Sequence, residues 1–134
     1  MLLAVAEHEN IHSEIIPRIA TGFCSGMART GGMCGAVSGG ILAIGLLLGR
    51  NSPTDALDPC YQAVRTFLER FSAQYKALSC LELTGVHLGT AEGQQAFKEK
   101  EQIRECMNFV GEAARMVVEI VEGDENALTT GGHS

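Results

Sequence analysis

Gly31-Gly32-Met33-Cys34-Gly35-Ala36-Val37-Ser38-Gly39-Gly40-Ile41-Leu42-Ala43-Ile44-Gly45-Leu46-Leu47-Leu48-Gly49 is uncharged throughout and dense in small residues. Read as a helix from about Cys34 to Leu48 with Gly49 as its stop, it places Gly35, Gly39 and Ala43 at i, i+4 and i+8, on one face. That face has almost no side chain, so a second helix or a cofactor can approach the backbone closely. Glycine costs roughly 1 kcal/mol per interior helical position relative to alanine, so close approach outweighs helix propensity here. Met33 to Gly49 makes 17 uncharged positions, at the lower limit for a membrane span. Its glycines weaken its hydrophobicity, and no aromatic or basic anchors flank both ends. The stretch reads as a buried core helix. Cys34 stands at its N-terminus, where the helix dipole favours a thiolate and lowers its pKa.

Outward from this helix the chain reads as further helices. Met1 to about Glu7 is a short apolar helical fragment. Glu9 to Ala20 has Ile11, Ile15, Ile16 and Ile19 on one side. Pro17 is awkward within it and tolerated only in a first turn, so the helix starts either at Glu9 or near Pro17. Thr21 to Gly32 is a glycine-rich turn. Beyond the polar linker Arg50–Asp55, the residues Tyr61, Val64, Leu68, Phe71, Tyr75 and Leu78 recur at helical steps, and Cys80 closes that helix or lies just past it. Thr90 precedes a polar helical run, Ala91 to Glu101. The last helix carries Ile103, Cys106, Val110, Ala113, Val117 and Ile120 on one face and ends at Gly123. Residues 124–134 are a polar, flexible tail. No stretch alternates with a period of two, so the expected fold is all-α: a compact bundle of about five helices around the central Gly-rich buried helix, one domain over 1–123.

Composition narrows the function. At 134 residues the chain builds one core and not two ordinary domains. The formal net charge of −6 and the lack of a Lys/Arg cluster argue against nucleic acid or an anionic membrane as partner. No basic n-region precedes the first apolar run, so no signal peptide is visible. A cytoplasmic, reducing compartment follows. There, five cysteines read better as metal ligands or redox groups than as a disulfide framework.

Gly22-Phe23-Cys24-Ser25-Gly26-Met27, followed by Gly31-Gly32-Met33-Cys34-Gly35-Ala36-Val37-Ser38-Gly39, resembles the signature of the C_GCAxxG_C_C family of small redox-active proteins. The likeness continues through Cys80-Leu81-Glu82-Leu83-Thr84-Gly85 and Cys106, and so covers about Leu2 to Glu122. The family is named for four cysteines. Its first precedes an apolar segment like Leu2–Glu7, so that place would lie before Met1. Cys34, Cys80 and Cys106 carry over, whereas Cys24 falls where relatives more often have glycine and Cys60 lies outside the pattern. The resemblance implies a thiol/disulfide site or a bound metal or iron–sulfur group, held by Cys34, Cys80 and Cys106, with an electron partner protein. Gly35, Ala36 and Gly39 would leave room for the cofactor or for a facing helix. Metal or iron–sulfur sites usually take four soft ligands, and Cys24, His87 or solvent are the candidates for the fourth. Among the thiols, Cys34 is expected to be the most exposed and most acidic, and Cys106 to face inward.

Two other readings stand beside this one. Buried cysteines are common small hydrophobes, and no Cys-x-x-Cys pair is present. The alternative is therefore a non-enzymatic helical module whose glycine face drives self-association, as in a homodimer. Separately, His8-Glu9-Asn10-Ile11-His12 spells H-E-x-x-H, which on a helix puts two imidazoles on one face for zinc. Pro17 soon interrupts that helix and no well-placed third ligand follows, so the match reads as chance. The mixed run Lys98-Glu99-Lys100-Glu101 is a solvated helix face.

Overall fold

The computed structural model describes the backbone of residues 1–129 and the side chains of residues 1–123. The described residues form an all-α fold of seven right-handed helices: α1 Leu2–His8, α2 Ile15–Ala20, α3 Gly35–Leu48, α4 Asp58–Tyr75, α5 Cys80–Thr84, α6 Ala91–Glu99 and α7 Ile103–Thr129. That exceeds the five expected, because short helices fill segments that read as linkers. The Gly-rich helix α3 packs against α1, α4 and α7 and buries Ala36, Val37, Ser38, Gly39, Gly40, Ala43 and Ile44. Among the described residues no helix is long and apolar enough to cross a membrane.

Local chemistry sets the helix ends. Asn10 adopts φ 59° and closes α1 with a Schellman pair of bonds, its N–H donating to Glu7 O and that of Ile11 to Ala6 O (2.8 Å). His12 therefore lies outside the helix, and the H-E-x-x-H spelling has no helical face to act from. Pro17 falls in the first turn of α2, where its missing N–H costs nothing. Only Ile16 of the expected isoleucine stripe is buried there; Ile15 and Ile19 are exposed. The α4 helix ends at Tyr75, with Lys76 left-handed at its C-cap.

The core faces of the two long helices are rotated from the expected stripes. Helix α4 buries Ala63, Phe67 and Phe71 and leaves Tyr61 exposed, while α7 buries Phe109, Ala113, Met116, Val117 and Val121 and leaves Ile103 exposed. For α4 the cause is the absent side chain at Gly40, where a Cβ would stand 2.5 Å from Cζ of Phe67. The fully buried Phe67 ring thus lies against the α3 backbone and turns α4 with it. Phe71, Tyr75 and Phe109 continue this packing, with ring centroids 4.8 to 6.3 Å apart. Losing one such buried ring typically costs about 3–5 kcal/mol. Helix α7 does not stop at Gly123 but runs to Thr129. Of the expected tail, residues 130–134 lie outside the described residues.

Candidate functional site

The site grows from one pairing between two loops. Met33 and Ser79 form an isolated antiparallel bridge, made by Cys34 N–H donating to Leu78 O (2.8 Å) and Cys80 N–H donating to Gly32 O (2.7 Å). Side chains alternate across such a pair, so Cys34 and Cys80, each one step past the bridge, lie on the same face. They are diagonal neighbours, for which Cα atoms in a regular ladder stand about 7–8 Å apart.

Both cysteines then open helices. Cys34 is the N-cap of α3, as the sequence predicts. Cys80 is the first residue of α5, not the end of α4: Ser79 caps α5 by accepting from Glu82 N–H (3.1 Å) and donating to Glu82 Oε1 (3.0 Å). The one Ser79 hydroxyl thus caps α5 and holds the Glu82 carboxylate, and Ser79-x-x-Glu82 was its signal in the sequence.

A left-handed turn supports the pairing from below. Ser25, Gly26, Met27, Ala28 and Arg29 all have φ between 56° and 68°, where each non-glycine residue is strained by about 1–2 kcal/mol. The turn is stitched by Gly26 O, which accepts from Thr30 N–H, Gly32 N–H and Thr30 Oγ1. A side chain at Gly26 would overlap Cβ of Cys80 and stand 3.1 Å from its Sγ. The glycine-rich turn was legible from the sequence, but the role of Gly26 as the seat of Cys80 was not. Strain of this kind concentrates at functional sites.

Above the pairing lies a cavity of about 270 Å³ lined by Cys34, Cys80, Cys106 and Cys24 together with apolar residues. Its walls include Gly35, Ala36 and Gly39. Cys106, on α7, reaches the cavity from the opposite side and is half-buried. So the structure brings Cys34, Cys80 and Cys106 to one space, all as free thiols. Cys24 sits at the rim, exposed, with its thiol 3.9 Å from Ala20 O. His87 does not line the cavity; its Nδ1 accepts from Gly89 N–H (3.0 Å). Cys60 is half-buried on α4 against the core.

The electrostatics differ from the expectation at Cys34. Burial pushes its thiol above the ordinary value, and the N–H groups of Ala36 and Val37 pull it only part of the way back. Desolvation outweighs the helix terminus, so Cys34 is neither the most exposed thiol nor an acidic one; the exposed thiol is Cys24. Cys80 is raised by burial and by the neighbouring Cys34, against a hydrogen bond from Thr84. Cys106 is pushed up to about 11 by burial, then by Cys34, Cys80 and Glu105. A charge on Cys34 thus raises Cys80, and charges on Cys34 and Cys80 raise Cys106.

The family model described as "Putative redox-active protein (C_GCAxxG_C_C)" matches residues 1–120, which takes in every thiol on the cavity. The chain belongs to the C_GCAxxG_C_C family. No curated protein and no solved structure matches it at a significant level. In this C_GCAxxG_C_C protein, the motif cysteine Cys34 is at the α3 N-cap, and the motif glycines Gly35 and Gly39 meet the chain itself. A Cβ at Gly35 would touch Phe23 O (3.4 Å) and Cα of Cys24 (3.7 Å), and one at Gly39 would press on Met1 (2.9 Å).

Proposed function

We propose that Cys34, Cys80 and Cys106 act as one ligand set for a soft metal centre, and that the protein passes electrons between this centre and a redox partner protein in a reducing, cytoplasmic compartment. The observation that carries the reading is the meeting of three free thiols on one cavity. Their spacing narrows the choice of centre. A single tetrahedral zinc, with Zn–S near 2.3 Å, needs its sulfurs about 3.8 Å apart. Among the described residues the three thiols are not all within 4.8 Å of one another. Such a separation fits a polynuclear iron–sulfur group, which fills the space between its thiolates, better than one closed metal ion. Bound there, the group would supply one-electron transfer.

The chain's own residues have definable parts in this reading. Cys34, Cys80 and Cys106 lose their protons on ligation, and the raised pKa values make that loss a large share of the binding reaction. Ala36 and Val37 N–H groups steady the Cys34 sulfur. Gly35 and Gly39 let Phe23, Cys24 and Met1 pack close against α3 beside the cavity, and Cys24 at the rim is the fourth thiol on its lining. The lining around the thiols is mainly apolar. The self-association reading loses its surface, because Phe23, Cys24 and Met1 of the same chain already cover the glycine face.

Anaerobic purification with metal and acid-labile sulfide analysis tests the proposal. Iron and sulfide in comparable amounts, with visible absorption lost in Cys34→Ser, Cys80→Ser and Cys106→Ser but kept in Cys60→Ser, is the expected result. Colourless, metal-free protein from anaerobic cells and after attempted cluster reconstitution would refute it.

A further inference from the structure

A second group of ligand atoms lies away from the thiols, where α1 meets α7. His8 is the last residue of α1 and Glu9 its C-cap, while Glu122 is on α7. Among the described residues, these three are the one set of His, Cys, Asp or Glu ligand atoms that all lie within 4.8 Å of one another. His8 Nε2 and Glu122 Oε1 are 3.5 Å apart. Metal–nitrogen and metal–oxygen bonds of 2.0–2.2 Å at a tetrahedral angle put ligand atoms about 3.3–3.5 Å apart, so this pair already has the span of a shared cation.

Three further features favour a cation over a simple ion pair. Two carboxylates face one imidazole, so a protonated His8 balances only one of them. His8 and Glu9 also stand at the carbonyl end of α1, where the helix dipole adds partial negative charge. And the Schellman closure through Asn10 and Ile11 fixes the direction of residues 8 and 9, so the ligands from α1 are pre-set rather than carried on a loose end.

We propose that His8, Glu9 and Glu122 form a surface site for a borderline divalent cation of the zinc or nickel class, completed by water. One nitrogen and two carboxylates suit such ions better than soft ones. Binding ties the C-terminal end of α1 to α7. Since Met1 and Leu2 at the other end of α1 line the thiol cavity, the cation also holds one wall of that cavity in place. The inference stands on the geometry of these three residues and not on what the thiols hold.

The test is a zinc chloride titration of histidine-labelled protein followed by NMR, which reads each imidazole separately from any thiol binding. The expected result is a saturable shift of the His8 resonances with His12 and His87 unmoved, a midpoint weakened about tenfold or more in Glu122→Gln, and a zinc-induced rise in melting temperature that is smaller in His8→Gln. Both variants are at exposed positions and retain the fold. A His8 signal unmoved at millimolar zinc overturns the proposal. So does a midpoint that is the same in Glu122→Gln, which would mean a lone histidine binding adventitiously.

Discussion

Gly26 and Cys80 occupy each other's space: a Cβ on residue 26 would overlap that of Cys80. Gly26 also holds φ 68°, a conformation that costs other residues about 1–2 kcal/mol. Gly26→Ala therefore carries both the conformational cost and that of overpacking, typically about 1–3 kcal/mol. Gly22→Ala, with nothing within 4 Å, is the matched control. Urea midpoints should fall clearly for the first and little for the second. Equal midpoints would show that Cys80 is not seated on Gly26.

The α3 glycines are unequal. At Gly40 a Cβ meets the buried Phe67 ring at 2.5 Å, whereas at Gly39 it meets Cβ of Met1 at 2.9 Å. Gly40→Ala should cost about 1–3 kcal/mol and Gly39→Ala less, since its overlap is smaller. The reverse order in thermal melts would place α4 differently against α3.

Thiol chemistry gives a pH window. In metal-free, reduced protein the exposed Cys24 should be alkylated first by iodoacetamide. Of the cavity thiols, Cys34 should react before Cys106, whose rate should keep climbing as pH rises towards about 11. The sign for stability follows from the same shift. The folded Cys106 holds its proton above its ordinary value of 9.0, so its contribution is complete below pH 9 and is lost as pH rises from 9 through about 11. Wild-type protein should then lose stability faster than Cys106→Ser over that interval. Parallel curves, or a Cys106 rate that levels off by pH 9, would contradict the assignment.

What could be read in advance follows physical lines. The uncharged Gly-rich run and the helical periodicity specify an all-α fold, and the cysteine motif points to Cys34, Cys80 and Cys106 as one site. The rotation of the α4 and α7 faces was hidden, because Tyr61 and Ile103 fit an apolar stripe as well as Phe67 and Phe109 do. For α4, the tertiary contact at Gly40 decides between them. The direction of the Cys34 shift was misjudged because a helix terminus is visible in sequence and the burial opposing it is not. The left-handed turn at Ser25–Arg29 has no local signal beyond one glycine, since Ser25, Met27, Ala28 and Arg29 all avoid that conformation unless tertiary contacts impose it.

The central claim is that Cys34, Cys80 and Cys106 are a single ligand set for a polynuclear group, and anaerobic reconstitution with iron and sulfide reports on it most directly. Titrating metal-free, reduced protein with ferrous iron and sulfide should give one saturable sulfur-to-iron charge-transfer band. That band should weaken in each of Cys34→Ser, Cys80→Ser and Cys106→Ser and keep its intensity in Cys60→Ser. A band that survives loss of any one of the three, or that disappears with Cys60, would show that the thiols on this cavity do not bind together.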